Sequence, residues 1–157
     1  DISTPIDVTT AIQGLGGESK MFYKMLESLE KMTLNETMLK ITDAYDAKNY
    51  KVLKELAHAL KGACAYIGAS RLHYVCFFMQ EHFIQERYEK VVDLYPSLVE
   101  AAIEYKVYSR EILAKHKGEN YQRLSEHEYV PIPSDFRLEK DPSNSYIYCC
   151  FKNQPLN

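Results

Sequence analysis

The sequence predicts an all-α protein: an up-down four-helix bundle with a short extra helix at its N-terminus and an irregular C-terminal tail. Three observations predict it. Apolar residues recur at steps of three and four from about Ile6 to Lys117. Internal breaks are few and short, at Gly14 to Gly17, Asp46 to Asn49, Gly68 and, weakly, near Arg87, so long amphipathic helices must pack as antiparallel neighbours. From Gly118 the texture changes: Pro131, Pro133, Pro142 and Pro155 appear among Ser and Asn, and no helical period survives.

The elements follow in order. A short first helix carries Ile6, Val8, Ile12 and Leu15, and Gly16-Gly17 would end it. The second spans about 18–45, with Phe22, Met25, Leu26, Leu29, Met32, Met38, Ile41 and Tyr45 on its stripe. Asp46-Ala-Lys-Asn49 makes a tight connection. The third spans about 50–67, with Leu53, Leu56, Ala57, Leu60, Cys64 and Ile67 on one face. Gly68 suits a left-handed stop, and Ser70 suits the cap of a fourth helix carrying Leu72, Val75, Cys76, Met79 and Phe83. The last helix falls within 88–117. Pro96 interrupts it, so either the helix starts near Tyr95 with Pro96 in its permissive first turn, or it kinks there.

The bundle is expected over 1–117 and the tail over 118–157. Tyr129, Val130, Ile132, Phe136, Tyr146, Ile147, Tyr148 and Phe151 are too many apolar and aromatic residues for a free linker, so the tail is expected to pack on the bundle or on a partner. At 157 residues and 46% hydrophobic, the chain can bury one domain's core. A formal net charge of -3 argues against a nucleic-acid or anionic-membrane binder. No signal peptide or bilayer-length apolar run is visible. Cys64, Cys76, Cys149 and Cys150 include no CxxC and read as reduced thiols, which points to a cytoplasmic setting, with the nucleus as an alternative.

Chemistry concentrates on the third helix. His58 is turned about 100° from Ala57, off the apolar stripe. Lys54, Lys61 and Gly62 share its face at three and four residues, with Lys51 and Ala65 one turn further out. A neutral imidazole is a nucleophile near neutral pH and can take a phosphoryl group on a ring nitrogen. The product would carry close to two negative charges, which Lys54 and Lys61 would offset. Gly62 costs a helix interior about 1 kcal/mol relative to Ala. Beside His58 it clears an approach for a partner.

The stretch Ala57-His58-Ala-Leu-Lys61-Gly62-Ala-Cys-Ala-Tyr-Ile-Gly68-Ala-Ser-Arg-Leu72 resembles the signature of histidine-containing phosphotransfer (HPt) domains. Leu15-Gly-Gly-Glu-Ser-Lys-Met-Phe22 resembles the start of that family's first long helix, and Leu72, Cys76 and Glu81 roughly follow a downstream run. The resemblance covers about residues 6–116. It implies a phosphorelay intermediate that takes a phosphoryl group on His58 from the aspartate of one receiver domain and passes it to another. The residues implied are His58 as acceptor, Lys61 and Lys54 as phosphoryl stabilisers, and Gly62 and Gly68 for access and helix geometry. The partners implied are response-regulator receiver domains, with a hybrid histidine kinase as a further one. No cofactor of its own is expected, because Mg²⁺ comes with the receiver. Docking should use Lys54, Lys61 and Ala65. Met25, Leu29 and Met32 are candidates beside them, with core packing the better explanation for at least two.

Two other readings compete. A non-transferring scaffold for receivers or other signalling proteins would use the same bundle and its aromatic tail. An enzyme with His58 as general base lacks a paired carboxylate or a Ser or Cys constellation to complete a site. The Gly14-Leu-Gly-Gly17 cluster fits neither GxGxxG nor a phosphate-binding loop. His73 and His82 are nine residues apart, which is not ligand spacing, and His116 and His127 have no partner pattern.

Overall fold

The computed structural model describes residues 3–131. Those residues form helices α1 (Val8–Gly14), α2 (Ser19–Ser28), α3 (Asn35–Asp46), α4 (Tyr50–Tyr66), α5 (Ser70–Ile84), α6 (Tyr88–Asp93), α7 (Tyr95–Lys117) and α8 (Glu126–Tyr129). A π-helical turn, Leu29–Leu34, joins α2 to α3, so the two run as one rod. This rod, α4, α5 and α7 are the four long members of the bundle. Successive members pack against each other, and α7 closes the ring on α2.

The second rod departs from a simple α period. Phe22, Leu26 and Leu29 are buried, then Leu34, Met38 and Ile41. The step from Leu29 to Leu34 is five residues, and an α-helix would carry position 34 off the inner face. One wider turn restores the phase. Met32 therefore does not join the core stripe expected for it; it is 74% exposed, and Leu34 takes its place at 0%. The wide turn also faces α7 with a polar pair. Glu30 accepts from the Nε of Arg110 at 2.9 Å, and Asn35 accepts from the Nζ of Lys106. The Tyr105 hydroxyl donates to the Leu26 carbonyl at 2.9 Å, just before the turn.

Local chemistry explains the helix ends. Asp7 accepts from the Thr10 amide and Asn49 from the Val52 amide, capping α1 and α4. Gly68 has φ +69° and stops α4. Ser70 is not the cap of α5. Ala69 holds that position, and the Ser70 hydroxyl donates back to the Gly68 carbonyl at 3.1 Å. Pro96 sits in the first turn of α7, where its missing amide hydrogen costs nothing. The preceding residues form the separate α6.

Within 118–131 the chain returns to the bundle at its far end. Tyr129 and Val130 are buried. The Tyr129 carbonyl accepts from Lys106, its ring lies 5.0 Å beneath the Arg110 guanidinium, and its oxygen accepts from the Leu124 amide. Ile132, Phe136, Tyr146, Ile147, Tyr148, Phe151, Cys149 and Cys150 lie outside the described residues.

His82 gives a pH prediction. It is buried on α5, and its Nδ1 has no hydrogen-bond partner among the described residues. Burial, and then Arg87 and Lys90, push its imidazole below the ordinary value of 6.5. The unfolded chain therefore binds a proton that the native state resists. This contribution to stability is present above pH 6.5 and is lost as pH falls from there through the lower folded value. His73, depressed by burial and by Lys61, adds in the same sense. Melting temperatures at about pH 7.5 and about pH 5.5 should differ less in His82→Leu than in the wild type. An unchanged difference would contradict the assignment.

Candidate functional site

The buried stripe of α4 fixes what faces outward. Leu53, Ala57, Leu60 and Cys64 are buried, so His58 is carried on the opposite side and is exposed. Lys54 and Lys61 are half-buried, Lys51 and Ala65 exposed. Gly62 opens onto free space: a Cβ built there meets nothing within 4 Å. Tyr66, one turn beyond Gly62, is 71% exposed. His58, Lys54, Lys61 and Gly62 thus share one accessible face. Gly68 does not belong to it. Gly68 lies where α4 meets the start of α1, and its carbonyl accepts from the Asp7 amide at 2.8 Å.

Helix α5 supplies a partner for each polar member of that face. Lys54 Nζ lies 5.4 Å from the centre of the Phe83 ring. His58 Nδ1 lies 3.3 Å from Gln80 Oε1. Lys61 Nζ lies 5.6 Å from the centre of the Phe77 ring. The three pairs run in antiparallel order, as two helices joined by the tight Gly68-Ala69 corner require. Gln80 was not among the expected site residues. Its signal was available: residues equally far from the corner along α4 and α5 face each other, which sets Gln80 opposite His58.

Gln80 bears on the chemistry of the imidazole. An amide oxygen only accepts, so the tautomer with its hydrogen on Nδ1 is the one that can donate to Gln80 Oε1. In that tautomer Nε2 keeps its lone pair. Of the second-helix residues considered for docking, Leu29 is core at 6% exposure, Met25 is half-buried against the core, and Met32 is open. Neither Lys54 nor Lys61 pairs with a carboxylate among the described residues.

The other candidate chemistry recedes. Cys64 and Cys76 are buried free thiols, and burial pushes Cys76 up to about 12 and Cys64 upward. His116 stacks on Tyr23 with ring centres 3.9 Å apart. Among the described residues no three His, Cys, Asp or Glu side chains group as metal ligands, and no helix is long and apolar enough to cross a membrane.

A family model described as Hpt domain matches residues 25–110, more than half of the chain. The chain belongs to the Hpt domain family. Hpt domains are helical phosphotransfer modules of phosphorelays, and the all-α bundle agrees with that membership. The match takes in α4 and α5 whole, and with them His58, Gln80 and both lysines. It ends within α7, before the segment that carries Tyr129. No curated protein and no solved structure matches the chain.

Proposed function

We propose that this Hpt domain is a phosphorelay intermediate in which His58 accepts a phosphoryl group from a receiver-domain aspartate and passes it to a second receiver. One observation carries the reading. The family match contains three histidines, and only His58 is exposed; His73 is half-buried and His82 buried. A phosphoryl donor carried on another protein needs an accessible acceptor.

The transfer balances with the groups at hand. The lone pair of Nε2 attacks phosphorus in line. The bond from phosphorus to the aspartyl oxygen breaks, the receiver's aspartate leaves as a carboxylate, and a P–N bond forms. No proton need depart, because Nε2 carries none. Positive charge develops on the ring, and the Nδ1–H···Oε1 bond to Gln80 becomes charge-assisted and stronger. Lys54 and Lys61 offset the negative charge of the arriving phosphoryl group. In this division of labour the receiver brings the aspartyl phosphate and Mg²⁺, and the Hpt domain brings the nucleophile and two cations. The domain then turns over no substrate of its own.

The test mixes the protein with a receiver domain loaded on its aspartate by acetyl phosphate, in Mg²⁺. Label that is acid-labile and alkali-stable should appear on the wild type and be absent from His58→Gln. Binding without label would favour the scaffold reading. Undiminished label on His58→Gln would overturn the assignment.

A further inference from the structure

We propose that Phe77 and Phe83 are positioning residues that hold the Lys61 and Lys54 ammonium groups beside His58 as cations left unneutralised. This rests on the phosphocarrier reading and deepens it. A lysine on an exposed helical face ordinarily samples many rotamers, and fixing its end costs side-chain entropy. A carboxylate partner could fix it, but would cancel the charge that a phosphoryl group needs. An aromatic face attracts the ammonium through its quadrupole and carries no formal charge.

The geometry meets that requirement twice. Each Nζ lies within cation–π range of one ring, at 5.4 Å for Lys54 over Phe83 and 5.6 Å for Lys61 over Phe77. Each ring is half-buried and packed against the core, so it is itself held. Gln80 lies three residues from both rings, hydrogen-bonded to the imidazole between the two lysines. One row of α5, Phe77, Gln80 and Phe83, thus braces one row of α4, Lys61, His58 and Lys54. The rings do not meet the phosphoryl group. They act through the lysines.

The test is the transfer from an acetyl-phosphate-loaded receiver, with the maximal rate and the receiver concentration at half-maximal rate measured separately. Phe77→Leu keeps apolar bulk and removes the ring face. It should lower the maximal rate roughly two- to tenfold and leave the half-saturating concentration nearly unchanged. Phe77→Tyr, which restores a ring, should recover the rate. In a Lys61→Met background Phe77→Leu should cause no further loss, because the cation it would hold is gone. Phe83→Leu with Lys54→Met should behave likewise. In the NMR spectrum, the upfield ring-current shift of the Lys61 ε-methylene protons should vanish in Phe77→Leu. A full maximal rate in Phe77→Leu, or a loss that persists in the Lys61→Met background, would overturn the inference and leave the phosphocarrier reading standing. A wild-type protein that takes no label would overturn both.

Discussion

Replacing Gly68 by Ala should destabilise the fold by about 2–4 kcal/mol, from two causes that add. The residue has φ +69°, which costs an L side chain roughly 1 kcal/mol or more. A Cβ there would also lie 2.7 Å from the Asp7 carbonyl oxygen and 3.2 Å from the Ala11 Cβ. The first contact is with backbone and cannot relax by rotating a side chain. That carbonyl accepts from the Ala11 amide in the first turn of α1, and the Asp7 amide donates to Gly68 itself. The substitution therefore pushes α1 off the bundle and loosens Ile6, which is 1% exposed. Gly118→Ala is the control. It has φ +70° at the end of α7, but open space around it, so only the backbone cost of about 1 kcal/mol applies. Urea unfolding of the two variants should separate them clearly. Equal losses would contradict the close approach of α1.

Gly62 should respond in the opposite direction. It lies inside α4, has no left-handed φ, and meets nothing where a Cβ would go. Nothing within the described fold needs a glycine there. Gly62→Ala should stabilise the bundle by about 0.5–1 kcal/mol through helix propensity alone. Gly62→Gln, whose side chain projects one turn from His58, should cut transfer from a loaded receiver at least roughly tenfold, since misplacing the reacting atoms by about 1 Å costs near 100-fold. Labelling of His58 by phosphoramidate, a donor small enough to pass the added side chain, should stay within about twofold of the wild type. Equal losses with both donors would mean that Gly62 shapes His58 and not the approach of a partner. Two glycines six residues apart on one sequence segment thus separate stability from docking.

The helical period was legible wherever packing obeyed one phase. The stripes of α4 and α5 and the exposure of His58 follow from residues three and four apart, and Pro96 marked the true start of α7. Legibility failed where tertiary packing changed the phase. Met32 continues the three-and-four steps from Leu29, but the π turn carries Leu34 inward, because Glu30 and Asn35 face Arg110 and Lys106 across the bundle. That partnership is long-range, and no local pattern contains it. The five-residue step from Leu29 to Leu34 is its one trace in the sequence. Ser70 misled for a different reason: serine is a good cap, but the helix already begins at Ser70, so Ala69 holds the cap position and the Ser70 hydroxyl donates back to the Gly68 carbonyl. At the site, the residues of α4 were legible and those of α5 were not. Gln80, Phe77 and Phe83 act across a helix pair, so they emerge only when α5 is laid antiparallel on α4. His58 itself gains definition from that neighbour. In the proposed mechanism Gln80 accepts from Nδ1, which commits one ring nitrogen to the fold and leaves the other to react.

The central claim is therefore about a single atom, Nε2 of His58. Its most direct test is NMR of uniformly ¹⁵N-labelled protein after transfer from a loaded receiver, read for ³¹P coupling in the imidazole resonances. The account predicts one phosphorylated ring, that of His58, with phosphorus coupled to Nε2 and the hydrogen retained on Nδ1. Phosphorus on Nδ1 of His58, or on the ring of His73, would contradict it.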